Sequence, residues 1–367
     1  MLSPMAGITS QPFRQLCLEL IDEYCTQYDT QSTETLAGIF VDEMVAARAI
    51  AGKISKVRAK ATFAHNERFR SLQLHCTDAL WAQTAAFQIA SERLADHIDL
   101  NFGCPVKKVT KNGGGSALGA NPDLLRAIIH GVKRGVEEGC DNNSEAVLPI
   151  SAKFRIGIDD DDVHFLRTAE IAVEEGCELL TLHARTAQQF YSGKADWSAI
   201  KLLRDTVPKE VLVFANGDIL TLEDAIRCVR ETGANGVAIG RGCMGRPWVF
   251  AELSEYYTTG STFALRPKLK EVVEIMMRHL ELTVSWVKAQ GNSELAAVKL
   301  FRQNIGPYLK GFNAKEVKMQ MLKAVTVLEI DQAARQLDLE QDYPTALESL
   351  ARGRSRSQKK VFLPPKW

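Results

Sequence analysis

"VLVFANGDILTLEDAIRCVRETGANGVAIGRG", residues 211–242, spells out one complete strand, helix and strand in a row. Val211–Asn216 is a short β-type apolar run stopped by a glycine turn. Thr221, with Asp224 three residues on, marks a helix start, and Leu222–Thr232 carries an amphipathic pattern. Gly236–Gly240 is a second apolar run, followed by Arg241. Short strands alternating with longer helices are the signature of a parallel α/β sheet.

Outward from this unit the same alternation runs from the first residue to about Arg246. It predicts strands at Leu2–Met5, Ala37–Val45, Ser71–Cys76, His97–Asn101, Pro149–Arg155, Glu178–His183, Val211–Asn216 and Gly236–Gly240. Helix candidates between them include Asp78–Arg93, Pro122–Glu138 and Asp161–Glu175, the last two followed by Gly139 and Gly176. Eight such units in ~250 residues match a (β/α)8 TIM barrel, and an open doubly wound sheet is the less economical reading. Beyond Gly245 the strands stop. Lys268–Lys288, Ser293–Leu309 and Ala314–Leu328 are amphipathic, with a further helical stretch near Tyr343–Ala351. The organisation predicted is a barrel over 1–250, a small C-terminal helical domain over 262–350, and a flexible basic tail over 351–367.

Composition sets the class. The 367 residues are 46% hydrophobic and 25% charged, as in ordinary globular proteins. No apolar run is long enough to span a membrane, and MLSPMAGITS lacks the basic and apolar regions of a secretion signal. Eight cysteines show no paired CxxC spacing, which disfavours both a disulfide scaffold and a metal site. The expectation is a cytoplasmic protein. Charge is balanced overall but not along the chain: residues 261–367 hold 18 Lys+Arg against 11 Asp+Glu, and residues 1–260 hold 27 against 34. A basic C-terminal part suggests a polyanionic partner, with a solvated basic surface as the plain alternative.

Barrel active sites lie at the C-terminal ends of the strands. Those ends carry Pro4, Met5 and Ala6; Gln73; Asn101 and Cys104; Lys153; His183 and Arg185; Asn216, Gly217 and Asp218; Gly240 and Arg241. The last two strand ends place glycines where backbone N–H groups build a phosphate site, with Arg241 as charged partner; each alone could be a tight turn. Lys153 in an apolar strand requires an anion or polar ligand unless it snorkels outward. His183 is a core histidine or a ligand contact. Together with Gln73 they suit the polar edge of an isoalloxazine ring.

"NFGCPVKKVTKNGGG", residues 101–115, sets Cys104 beyond a strand end, with Pro105 fixing the backbone and three glycines offering a hinge. A thiol of ordinary pKa, ~8.5, holds its proton at neutral pH and can act as a general acid. A nucleophilic thiolate, favoured by Lys107 or Lys108, and an inert buried thiol are the competing readings.

The segments PMAGITSQPFR, LQL, DLNFGCPVKKVTKNGGGSAL, AKFRIG, LHART, ANGDI and IGRGCMGRPW, with FRQNIGPYLKGF further on, stand in an order and spacing that resembles the tRNA-dihydrouridine synthases over residues 1 to about 325. The resemblance implies a flavin mononucleotide (FMN) enzyme that reduces the 5,6 double bond of particular tRNA uridines, with NADPH as electron donor. It implies that Cys104 protonates uracil C5 while the flavin N5 hydride goes to C6. Pro4, Met5, Ala6, Gln73, Lys153 and His183 would line the flavin ring. Asn216, Gly217, Asp218, Gly240 and Arg241 would hold its ribityl and phosphate portion, and Asn101 and Arg185 would touch the uracil. No metal and no membrane are implied, and a monomer is expected. The acidic run Asp159–Asp162 near the mouth departs from what RNA would favour. An FMN barrel acting on a free pyrimidine, and a noncatalytic RNA-binding barrel, are the alternatives.

Overall fold

A computed structural model of the chain describes residues 1–26, 38–54, 61–140, 147–351 and 360–364. Seven parallel strands pair in chain order: β1 Val45–Ala46, β2 Ser71–His75, β3 His97–Phe102, β4 Ile150–Arg155, β5 Leu179–His183, β6 Leu212–Asn216 and β7 Gly236–Val237. Leu2 closes the ring by bridging Phe40 on one side and Ile239 on the other, while Val41 bridges Ser71. The sheet is therefore a barrel whose first strand is reduced to a single residue.

The reduction has a local cause. Pro4 has no N–H to give to a ladder, and the backbone then turns so that the Ile8 and Thr9 N–H groups donate to the Met5 carbonyl. The expected strand Ala37–Val45 divides into the Phe40 and Val41 bridges and β1, with Ala37 outside the described residues. Cross-strand register aligns Gln73 with Asp99 and Asp99 with Ser151, Asn101 with Lys153, and Arg155 with His183 and Asn216. The polar side chains named from sequence thus sit in rows toward one end of the barrel.

Helices cover the outside. Asp78, Asn121 and Thr221 cap Ala79–Ser91, Pro122–Gly139 and Leu222–Thr232 by accepting from backbone N–H groups. The core between sheet and helices is mostly Leu, Ile, Val and Ala, for example Leu100, Ala152, Leu180 and Val213, all fully buried, with Phe and Cys among them.

Among the described residues four α-helices make up the region after the barrel: Leu269–Ala289, Glu294–Tyr308, Lys315–Lys323 and Val327–Ala334. The predicted helix Ala314–Leu328 is two, because Thr326 turns out of helical geometry and caps the second. The stretch near Tyr343–Ala351 holds only a single tight turn, Thr345–Leu347. The predicted helix start at Asp161 moves to Phe165, since Asp159 accepts from the N–H groups of Asp161 and Asp162 and makes the acidic run a turn of its own.

The helical region and the barrel share a core. Leu16 and Leu20 of the barrel's first helix, Gln11–Thr26, pack with Trp248, Met276, Phe301 and Tyr308. Gly245, with φ +66°, lies against the backbone of Pro307, where any Cβ would collide at 2.3 Å. The Gln303 amide donates to the Gly7 carbonyl at 2.5 Å, which carries the Glu294–Tyr308 helix to the barrel mouth. Among the described residues, no helix is long and apolar enough to cross a membrane, and no group of three or more His, Cys, Asp or Glu could hold a metal ion.

Candidate active site

A cavity of about 540 Å³ opens at the C-terminal ends of the strands, within the ~300–1,000 Å³ range of ligand pockets. Pro4, Met5, Ala6, Gln73, Asn101, Cys104, Lys153, His183, Asn216, Gly217, Asp218, Gly240 and Arg241 all line it. Arg185 does not.

Cys104 is half-buried at the cavity wall, just past β3. Asn101 Oδ1 accepts from the backbone N–H groups of Gly103 at 3.3 Å and Cys104 at 3.0 Å. Pro105 and Val106 lead into the short helix Lys107–Thr110, and the chain then doubles back so that Ser116 N–H donates to the Cys104 carbonyl at 3.0 Å. The glycines here permit close packing: a Cβ at Gly114 would lie 2.1 Å from His75 Cε1.

Also lining the cavity, Lys153 Nζ donates to Asn216 Oδ1 at 2.9 Å, and Asn216 Nδ2 donates to the Ala238 carbonyl at 2.6 Å. Burial, aided by Arg155, lowers the Lys153 ammonium to about 8, with Asp99 opposing the shift. His183 is held well below the usual imidazole range by burial and by Arg155, Lys153, Arg185 and Arg241 around it, so it is neutral.

Gly217 and Asp218 both have positive φ, +121° and +52°, and form a tight turn after β6. Asp218 brackets the turn, accepting from Arg185 at 2.6 Å, Ala195 N–H at 2.8 Å and Arg241 at 3.1 Å. Arg241 also stacks over the Tyr191 ring, 4.5 Å from its centroid.

Arg185 is 1% exposed; its Nε and Nη2 donate to the Ser192 and Gly193 carbonyls and so hold the loop that carries Tyr191, while its buried Nη1 has no partner among the described residues. Asn101 does line the cavity, but its carbonyl oxygen serves the Cys104 loop and its amide nitrogen donates to Gln73 at 2.7 Å.

Two side chains were missed in the sequence. Arg155, buried in β4, donates to the carbonyls of Gly103, Thr186 and Phe190 and joins the Cys104 loop to the Tyr191 loop. Burial lowers it to about 10. The signal was available, since Arg155 is two residues after Lys153 and a strand repeats its face every two residues. Tyr191 had no such signal because it lies in an irregular loop.

Lys153, Arg155, Arg185 and Arg241 outnumber the carboxylates Asp218 and Asp99 around the cavity, which favours a ligand carrying negative charge. The lining combines neutral and cationic donors with a half-buried thiol, a group capable of proton transfer.

The Dihydrouridine synthase (Dus) family model matches residues 1–343. A "Probable tRNA-dihydrouridine synthase" of Mycobacterium leprae (strain TN) is 40% identical over 379 aligned residues, covering 100% of this chain and 95% of the relative. One of the same description from Mycobacterium tuberculosis (strain CDC 1551 / Oshkosh) is 41% identical, covering 100% and 88%. A "tRNA-dihydrouridine synthase B" of Pseudomonas syringae pv. tomato is 35% identical, covering 84% and 81%.

Proposed function

Given that the chain belongs to the dihydrouridine synthase family, we propose that it reduces the C5–C6 double bond of specific uridines in tRNA, using FMN and taking electrons from NADPH. The observation that carries the reading is the placement of Cys104 and the Lys153–Asn216 pair on the walls of one cavity.

The residues fit the cofactor by the chemistry of their donors. The Gln73 amide, the Lys153 ammonium and the neutral His183 ring offer hydrogen bonds to the polar edge of an isoalloxazine, beside Pro4, Met5 and Ala6. Asn216, Gly217, Asp218, Gly240 and Arg241 hold the ribityl and phosphate portion; Arg241 brings the charge, and the Gly217–Asp218 turn brings backbone close to the ligand. When bound, FMN supplies the hydride for uracil C6.

Cys104 then delivers the proton to C5. Negative charge developing at C5 requires an acid within reach, and a positioned acid contributes ~10²–10⁴-fold. Asn101 and Arg155 hold the two ends of the peptide unit that precedes that thiol, at the Cys104 N–H and the Gly103 carbonyl. Arg185 keeps the facing Tyr191 loop in place. A stacked uridine cannot reach a recessed cavity, so the base must be extruded from the tRNA. Lys107 and Lys108, exposed beside the Cys104 loop, can meet phosphate oxygens during entry. The proposed setting is the cytoplasm, and a monomer suffices there.

A free-pyrimidine FMN barrel is the nearest rival. Gln303 and Pro307 from the helical region complete the cavity wall, and a small substrate needs no such addition. The test is to purify the protein, record flavin absorbance, and offer NADPH with unmodified tRNA or with free uridine. A yellow protein that turns over only with tRNA supports the proposal. A colourless protein, or turnover on uridine alone, rejects it.

A further inference from the structure

At the cavity floor four polar groups form a single chain, of which Gln73 and Asn101 line the cavity and Asp99 and Ser151 lie beneath. Asp99 is fully buried in β3, and its carboxylate accepts from Ser151 Oγ on β4 and from Gln73 Nε2 on β2, the latter at 2.6 Å. Gln73 Oε1 accepts from Asn101 Nδ2 at 2.7 Å. Asn101 Oδ1 accepts from the N–H groups of Gly103 and Cys104.

The direction of this chain is fixed from both ends. A carboxylate only accepts and a backbone N–H only donates. Gln73 must therefore turn its nitrogen to Asp99, Asn101 must turn its nitrogen to Gln73, and the Asn101 oxygen is left for Cys104. Each amide could face either way on shape alone, so its neighbours' chemistry decides its sense. Hydrogen bonds to a charged acceptor are the stronger kind, ~1.5–3 kcal/mol against ~1 for neutral pairs. Burial pushes the Asp99 carboxyl upward, and the bonds from Ser151 and Gln73, with the Lys153 charge, oppose that.

We propose that Asp99 is a positioning residue: its carboxylate orients the Gln73 and Asn101 amides and through them sets the backbone at Cys104. The inference rests on the assignment of Cys104 as proton donor. Asp99 touches neither cofactor nor substrate. Because Asp99 also bonds Gln73 and faces the Lys153 charge, some change in flavin affinity follows from either role; a carboxylate that merely satisfied its neighbours would lower both half-reactions alike, whereas this one acts further on the step that uses the thiol.

The test is Asp99→Asn, which keeps the shape but offers an amide that can accept from only one of its two donors at full strength. Asp99→Ser, uncharged and smaller, is the second variant should the first not fold. Three readouts are taken: flavin content with NADPH-driven flavin reduction, single-turnover reduction of tRNA, and peptide-resolved alkylation of Cys104 by iodoacetamide. Measured on flavin-saturated protein, the proposal expects flavin reduction to change less than tRNA reduction, which slows about tenfold, and the alkylation rate to change at least threefold. Unchanged tRNA reduction and alkylation overturn it, as does a loss that merely tracks flavin content. If wild-type protein does not reduce tRNA, the proposed function fails, yet the alkylation rate still decides whether Asp99 sets the Cys104 loop.

Discussion

Gly115 folds back onto Cys104 so closely that a Cβ on it would stand 2.5 Å from the Cys104 carbonyl oxygen, and its φ of +58° lies in the left-handed region. The loop is thus shaped by backbone contact with the residue it presents. Gly115→Ala adds both a collision and ~1 kcal/mol or more of backbone strain. The expected result is at least a tenfold loss of tRNA reduction with flavin reduction by NADPH intact, measured as the two separate half-reactions. Equal loss in both halves would place the damage outside the Cys104 loop.

Lys153→Ala should weaken flavin binding, read as the flavin fraction retained through gel filtration. Burial lowers this ammonium to about 8, so it is charged below that pH and neutral above it. Flavin affinity in the wild type should therefore fall as pH rises through 8, and the variant should lose that dependence. The same shift acts on the flavin-free protein with a defined sign. Between about 8 and the ordinary 10.5 the unfolded chain binds the extra proton, so this group's contribution to stability rises with pH.

Asp218→Asn leaves the buried Arg185 guanidinium without its carboxylate while its carbonyl partners remain. Loss of a charged hydrogen bond of this kind costs ~1–3 kcal/mol, and a drop of a few degrees in Tm should follow. Arg241 loses its bond to Asp218 as well, so flavin retention should change in the same variant. A Tm and flavin content equal to wild type would show that Asp218 does not bracket the turn.

Residues 352–367 carry six Lys+Arg and no Asp or Glu, so they account for most of the basic excess beyond residue 260. The helical region is close to neutral by the same count. The described end of this segment comes back to the site, with Lys107 Nζ 3.9 Å from the Phe362 ring centroid. Deleting 352–367 should lower tRNA affinity and flatten its salt dependence, by ~0.7–0.9 in log–log slope for each phosphate that the shortened chain no longer neutralises. Binding isotherms at several salt concentrations check this; an unaltered slope would remove the tail from RNA recognition.

The barrel was legible because strand–helix alternation is a repeated signal, and eight repeats leave few arrangements. Its weakest strand was legible only in part: Leu2 is in register, but Pro4 forbids the extension that its apolar neighbours suggest. Cavity-lining residues at strand ends could be read because barrel geometry fixes which end of the strands faces the cavity. Arg185 shows the limit of that rule, since a residue two positions past β5 can turn inward to serve a loop. The Asp99–Gln73–Asn101 chain was not legible at all. It depends on register between two strands, which periodicity within one strand does not carry. The break at Thr326 was missed for a related reason, as amphipathic spacing continues across it while the capping hydroxyl restarts the helix.

The most direct test reduces the flavin-loaded protein anaerobically, mixes it with unmodified tRNA, and follows dihydrouridine formation in a single turnover for wild type and Cys104→Ala. The account predicts rapid formation by the wild type and a rate at least ~100-fold lower for the variant, with its flavin content and reduction by NADPH unchanged. Equal rates in the two proteins would contradict the assignment of the Cys104 thiol as the proton donor.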